Sequence, residues 1–107
     1  AFGTQTAVVG TEHTLSTLTG AKTFTLTVDT VNLVFAATND ELELKIKTKA
    51  LTGGTERIAY YAYFVGSQDI PIKISIPVPV AYTATITLKQ VAGTARTFDW
   101  NITTPDA

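Results

Sequence analysis

The stretch at 41–49 reads Glu-Leu-Glu-Leu-Lys-Ile-Lys-Thr-Lys and alternates charged or polar side chains with apolar ones. Side chains on a β-strand point to opposite faces in turn, so a period of two gives one apolar face and one solvated face. An α-helix would instead spread Leu42, Leu44 and Ile46 around its circumference. The stretch therefore predicts a half-buried strand in a sheet.

Similar alternation recurs along the chain, with breaks that carry the Gly, Asn, Asp or Ser residues typical of turns. Short strands at regular spacing favour a sandwich or a barrel. We therefore predict an all-β domain spanning 1–107, an antiparallel β-sandwich of about eight strands with a jelly-roll-like arrangement. The predicted strands lie at 3–9, 13–18, 22–30, 41–49, 56–65, 70–80, 82–90 and 96–102.

Two segments depart from this pattern. Residues 1–9 carry few large apolar side chains, so we expect an extended N-terminal arm there. Phe2 and Val8 are the larger apolar groups on this arm, and we include them among the candidate interface residues. Residues 30–38 break the alternation and have room for one helical turn.

Composition argues against several classes of function. The net charge is −1 and the basic residues form no extended cluster, so we expect no nucleic-acid partner. The sequence has no Cys, which excludes disulfides, thiolate metal sites and Cys nucleophiles. No apolar run approaches the roughly 18 residues of a membrane-spanning helix, so we expect no membrane partner.

Residues for catalysis or metal binding are sparse. His13 is the sole histidine, and no serine lies in a nucleophile-elbow sequence. The Asn-Asp-Glu run at 39–41 lacks the spacing of a calcium loop. We therefore expect no enzyme activity, no metal and no cofactor.

Loop length decides which side chains of the two strands at 41–49 and 56–65 share a face. A three-residue loop at 52–54 would pair Ile46 with Tyr60, and Gly54 would adopt the left-handed conformation of a bulge. A two-residue turn would shift the register by one and reverse every side chain. We favour the three-residue loop because it keeps the large apolar groups together.

This register turns Tyr61, Tyr63 and Val65 outward, beside Lys45 and Glu43. Three such side chains in a row exceed scattered surface apolarity. Coverage by a loop or by the N-terminal arm, an interface with a subunit or partner, and a platform for stacking sugars remain open. We take these five residues as candidate interface residues.

The loop at 92–94 resembles the loop at 52–54, because both carry Gly-Thr near the tip and Arg soon afterwards. A second hairpin is therefore predicted, in which Leu88 pairs with Phe98 and Ile86 with Trp100. All four side chains would face the core.

The segment at 70–80 carries three prolines at odd positions, Pro71, Pro77 and Pro79. Backbone N–H groups alternate sides along a strand, so the three missing donors predict an edge strand with one unpaired side. The side chains expected to face the core are those of Ile72, Ile74, Ile76, Val78 and Val80.

Four pieces of the chain resemble a known group of proteins: Asp-Thr-Val-Asn at 29–32, the alternating stretch at 40–49, Gly-Gly-Thr-Glu-Arg at 53–57, and Leu-Lys-Gln-Val-Ala-Gly-Thr-Ala-Arg-Thr-Phe-Asp-Trp at 88–100. In these pieces the chain resembles short all-β proteins encoded among the virion genes of tailed bacteriophages. The last piece is the most distinctive. The resemblance supplies no catalytic residues.

The resemblance implies a virion structural protein, with a capsid decoration (cement) protein as the expected role. Its expected partners are the major capsid protein and copies of itself, a trimer among the arrangements. Its expected location is the capsid surface, after assembly in the host cytoplasm. The alternative is a tail, fibre or adhesion module of the phage that binds host glycans.

Overall fold

The computed structural model describes residues 1–34 and 39–104. That part of the chain forms nine strands and no helix. In chain order the strands are β1 (Phe2–Thr6), β2 (Glu12–Thr19), β3 (Lys22–Asp29), β4 (Glu41–Thr48), β5 (Arg57–Val65), β6 (Ile72–Ile74), β7 (Val78–Val80), β8 (Thr83–Ala92) and β9 (Thr97–Thr103).

The strands form two packed antiparallel sheets. One sheet has the order β2-β8-β4-β5, and the other has the order β1-β9-β3 with β6 and β7 both paired to β3. If β6 and β7 are taken as two pieces of one strand, the eight resulting strands follow the double Greek-key order of a jelly roll. The predicted fold class is confirmed.

The core lies between the sheets and is filled by the alternate side chains of the long strands. β3, β4 and β8 contribute most of it, as their burial alternates along the strand. Its largest fully buried apolar side chains are Phe24, Phe98, Leu26, Leu33, Leu42, Leu44, Ile46, Ile86, Leu88 and Val28.

The predicted register between β4 and β5 is confirmed. Ile46 lies opposite Tyr60, and the pairing continues in step to the far end of both strands. The predicted bulge is misplaced, however, because the register shifts between Ile46 and Lys47. Gly54 does not have a positive φ; its N–H donates to Leu51 O at 2.9 Å in an ordinary tight turn.

The predicted hairpin at 88–100 is wrong, because β8 and β9 belong to different sheets. Leu88 lies opposite Leu44 of β4, and Phe98 lies opposite Gln5 of β1. Leu88 and Phe98 both still face the core, since each sheet presents its apolar face to the other. Alternation identifies the buried face of a strand and not the sheet that contains it.

The segment at 70–80 is an edge, as predicted, but it divides into β6 and β7 with different registers on β3. At the break, the N–H of Ser75 donates to Leu26 O at 2.8 Å, and the Ser75 hydroxyl accepts from Leu26 N at 2.9 Å. The break inserts one extra residue into the edge strand, and this reverses the face to which the neighbouring side chains point. The side chains of Ile72, Ile74 and Ile76 are therefore exposed, contrary to the prediction.

The break also changes the side to which the prolines point. The carbonyl oxygen of Pro71 accepts from Thr30 N at 2.8 Å, so the backbone of Pro71 faces β3. The expectation that all three prolines line the open edge is therefore wrong for Pro71.

The N-terminal residues do not form a free arm. β1 pairs with β9 along its whole length, from Phe2 opposite Asn101 to Thr6 opposite Thr97. Gly3 permits this, because a Cβ at that position would approach Trp100 Cζ2 to 3.1 Å. In the segment at 30–38, Leu33 N donates to Thr30 O in a turn, and residues 35–38 lie outside the described residues.

The carboxylate of Asp40 is fully buried beside the loop that crosses from β8 to β9. It accepts hydrogen bonds from Thr94 N at 2.9 Å, Val34 N at 3.0 Å and Arg96 Nε at 2.8 Å. Gly93 has φ +95° and lies so close to Asp40 that no larger residue fits there. Burial by itself raises the pKa of Asp40, but these donors outweigh it and lower the pKa below its ordinary value.

Asp40 also determines where the neighbouring strand ends. Its carbonyl oxygen accepts from Gly66 N at 2.7 Å, just after the last residue of β5. The buried side chain of Gln90 completes the arrangement, accepting from Arg96 N at 2.9 Å and donating to Thr94 O at 2.6 Å. Asp40 thus joins the start of β4, the end of β5 and the crossover loop.

Replacing Asp40 by Asn should lower the free energy of unfolding at pH 7 by about 3 kcal/mol, because it removes a buried charge that accepts three hydrogen bonds, one of them from the partly exposed Arg96. A domain of this size should then melt roughly 10 °C or more below the wild type. Thermal and urea unfolding followed by circular dichroism measure both quantities.

Asp99→Asn is the matched control, since that exposed carboxylate accepts only from Thr4 Oγ1 among residues 1–34 and 39–104 and should change stability by less than about 0.5 kcal/mol. A lowered native pKa stabilises the fold above the unfolded-state pKa, and this contribution is lost as the pH falls through the native pKa. The difference between the wild type and Asp40→Asn should therefore shrink below about pH 4. An Asp40→Asn variant as stable as Asp99→Asn at pH 7 would contradict the role of Asp40.

Candidate interaction surface

The outer face of β4 and β5 carries the aromatic residues that the sequence singles out. Tyr61 lies opposite Lys45 and Tyr63 opposite Glu43, on the face that points away from the core. The exposed fractions are 50% for Tyr61, 40% for Tyr63 and 40% for Val65. The predicted outward orientation is observed, and the role of these residues in an interface stays a prediction. We call Tyr61, Tyr63 and Val65 the tyrosine surface.

Carboxylates of β4 hold both tyrosine rings in place. The Tyr61 hydroxyl donates to Glu43 Oε2 at 2.8 Å, and the Tyr63 hydroxyl donates to Glu41 Oε1. Lys45 Nζ lies 3.1 Å from Glu43 Oε1 and balances its charge. The hydroxyls are thus engaged within the chain, while the rings remain exposed to a partner.

These contacts shift the ionisation of the groups involved. Burial by itself raises the pKa of Glu43, but the hydrogen bonds from Tyr61 and Lys45 outweigh it and lower that pKa. The hydrogen bond to Glu43 raises the pKa of Lys45, and the hydrogen bond to Glu41 raises the pKa of Tyr63 to about 12. At neutral pH the surface therefore presents neutral phenols beside a charged Lys–Glu pair.

Hydroxyl–carboxylate pairs continue across the same sheet. Thr87 Oγ1 donates to Glu12 Oε1 at 2.7 Å, with Lys47 Nζ 3.4 Å from the same oxygen. The hydroxyls of Thr83 and Thr85 donate to the two oxygens of Glu56 at 2.9 and 2.7 Å. Side-chain bonds between strands hold the face rigid.

These pairs were not predicted from the sequence. The threonines at 83, 85 and 87 alternate as expected for an outer face, but their partners lie far away along the chain. Identifying Glu12 and Glu56 as acceptors requires the order β2-β8-β4-β5, which local patterns do not provide.

The other two candidate residues lie elsewhere. Phe2 is 83% exposed on the outer face of the other sheet, opposite Asn101. Val8 is exposed in the turn between β1 and β2, where its N–H donates to His13 Nε2 at 3.0 Å. Because β1 and β5 are outermost at opposite sides of the sandwich, the fold does not bring Phe2 and Val8 to the tyrosine surface.

A cleft of about 760 Å³ opens next to the first residues of β5. Leu51 and Ile58 on one side and Pro79 and Val80 on the other form its mostly apolar walls, and Arg57 adds a positive charge. No local pattern in the sequence predicts this cleft, because the cleft depends on the hairpin at 49–56 lying beside the corner between β7 and β8.

Groups suited to metal binding do not come together in the described part of the chain. Among residues 1–34 and 39–104, no three His, Asp or Glu side chains lie close enough to hold a metal ion.

The hydroxyl of the buried Ser75 is occupied by the backbone. It accepts from Leu26 N and donates to Ile76 O at 2.9 Å.

Comparison with protein-family models, with curated proteins and with solved structures found no match. In the described residues, no helix is long and apolar enough to cross a membrane.

Replacing Glu41 by Gln should return the pKa of Tyr63 from about 12 towards 10, because the charged acceptor of its hydroxyl is lost. Tyrosine ring signals followed by NMR during an alkaline titration measure this change. Glu43→Gln is the matched control, since Glu43 binds Tyr61 instead. A Tyr63 titration unaffected by Glu41→Gln would contradict the hydrogen bond.

Proposed function

We propose that this chain is a structural protein of a tailed-phage virion, a capsid decoration protein that binds and stabilises the lattice of the major capsid protein. The tyrosine surface is the observation that carries the proposal. Tyrosine is enriched in protein interfaces, where it supplies a large contact area at a small cost in side-chain entropy.

The ordering of this surface before binding supports the proposal. The Tyr61 and Tyr63 hydroxyls are bound to carboxylates of the neighbouring strand, so the rings lose little freedom when a partner covers them. The surrounding charges are paired within the sheet, as in Lys45 with Glu43. Many modest contacts of this kind can sum to strong attachment when a capsid displays its binding sites in a lattice.

The architecture also suits a structural role without catalysis. Jelly-roll sandwiches occur in viral capsid proteins, although they occur in lectins and enzymes as well, so the fold by itself does not assign the function. Virion association rests on the resemblance of the segments at 29–32, 40–49, 53–57 and 88–100 to small virion proteins.

The alternative is a tail, fibre or adhesion module that binds host glycans. The half-exposed ring of Tyr61 favours it, because sugars can stack on an exposed aromatic face. Tyr63 and Tyr82 are further exposed tyrosines. The two functions differ in copy number, since decoration proteins cover the capsid while adhesion modules are few.

Purified particles of the phage that encodes the chain provide the test. Quantitative mass spectrometry should find the chain at a copy number comparable to that of the major capsid protein, on the order of hundreds per particle. A handful of copies, confined to tails, would favour the adhesion module. Absence from the particle would overturn both.

The tyrosine surface is tested by adding the chain back to particles that lack it. Tyr61→Thr/Tyr63→Thr keeps strand propensity and removes both rings, so binding should weaken about tenfold or more. Asn101→Thr, on the outer face of the other sheet, is the control and should bind like the wild type. Equal binding by both variants would show that capsid attachment uses another surface.

A further inference from the structure

The outermost strands of the two sheets differ in how well their open edges are protected. β1 has five residues, β6 and β7 have three each, and β2 is bulged between Thr14 and Ser16. Short length, bulges and prolines such as Pro79 in β7 all discourage another strand from pairing. β5 has nine residues and no proline, and although it is bulged at Ala59, its register on β4 is regular from Tyr60 to Val65.

The open edge of β5 carries backbone groups that no strand among the described residues pairs. Gly66 N donates to Asp40 O, so the backbone of Gly66 points towards β4. Along an antiparallel strand, every second residue bonds to the same neighbour. The backbone groups of Phe64 and Ala62 therefore also bond to β4. The N–H and C=O groups of Tyr61 and Tyr63 therefore point away from β4, towards the open edge. Such a row of groups is a template for a further strand.

We propose that a second copy of this chain is the occupant, with β5 paired antiparallel to β5 across a two-fold axis near Ala62. Tyr61 of each copy then lies opposite Tyr63 of the other, and both backbones complete their hydrogen bonds. The four-stranded sheet becomes a continuous sheet of eight strands. Two cross-strand tyrosine pairs add aromatic contacts on its outer face.

Charge complementarity favours a second copy in this orientation. Arg57 begins β5 and Asp69 lies just beyond its end, and both are exposed. The ion pairs found in the described residues join Lys45 to Glu43, Lys47 to Glu12 and Arg96 to Asp40, so they include neither Arg57 nor Asp69. Antiparallel pairing brings Arg57 of each copy to the end that carries Asp69 of the other.

The neighbouring edge of the other sheet lies close to the open edge of β5. β6 lies beside β5, since Lys73 Nζ is 5.1 Å from the centre of the Phe64 ring. The exposed side chain of Ile72 points the other way, to the outer face of its own sheet beside Asp99 and Asn101. It therefore leaves the edge of β5 free for a second copy.

The proposed β5–β5 contact is separate from capsid binding and forms between isolated copies of the chain. Its two-fold symmetry gives dimers, whereas a trimer was among the arrangements implied by the resemblance. In a dimer, the tyrosine surfaces of the two copies join into one surface, which would double the area offered to a partner.

Sedimentation velocity of the full chain at about 1–100 µM, where a standard interface would associate, measures the dimer directly. Tyr61→Pro removes the outward N–H, whereas Tyr61→Thr removes the same ring and keeps the N–H. Dimerisation of Tyr61→Pro should be about tenfold weaker than that of Tyr61→Thr. Circular dichroism shows whether both variants remain folded.

Charge reversal tests the orientation with two exposed residues that the fold does not need. Arg57→Asp and Asp69→Arg should each weaken the dimer about fivefold, and the double variant should recover most of the wild-type affinity. A chain that stays monomeric at about 100 µM, equal affinities of the two Tyr61 variants, or a double variant without recovery would overturn the proposal. None of these outcomes depends on capsid binding, which the particle experiments test separately.

Discussion

The buried carboxylate of Asp40 is the constraint on which much of the structure depends. A carboxylate out of contact with water is stable only with donors around it, and here Val34, Thr94 and Arg96 provide them from two different loops. The same residue ends β5 through Gly66. Asp40 thereby joins the crossover between the sheets to the strand pair that carries the candidate surface, so the closing of the sandwich and the position of its outer face are linked.

The strand pair β4–β5, which Asp40 holds at one end, carries the tyrosine surface. Its register directs Leu42 and Leu44 into the core and the tyrosines outward, and the carboxylates of β4 accept the tyrosine hydroxyls. The outer face is therefore ordered before any partner arrives. The outermost strand, β5, leaves the backbone of Tyr61 and Tyr63 open, so one side of the sandwich combines exposed rings with an unpaired edge. The opposite side, with β1 and β2, has shorter or bulged edges.

Much of the fold could be predicted because strand alternation is a local property. The β4–β5 register followed from loop length and from the need to keep Ile46 and Tyr60 on one face. Placement in sheets could not be predicted in this way, since Leu88 and Phe98 alternate correctly although they lie on opposite sheets. The exposure of Ile74 was mispredicted because the break at Ser75 shifts the pleat by one residue, and the proline pattern indicates an edge without indicating this bulge. Partners distant along the chain, such as Thr87 for Glu12, require the complete topology.

The β5 side of the sandwich is the contact side that we propose, for copies of the chain and for a capsid lattice. Residue-resolved hydrogen exchange tests this most directly. In dilute protein, the amides of Tyr61 and Tyr63 should exchange rapidly, while those of Ala62 and Phe64 should be protected by β4. On concentration, or on binding to particles, the Tyr61 and Tyr63 amides should become protected. Unchanged exchange at these two amides, with new protection along β1 or β2, would contradict the account.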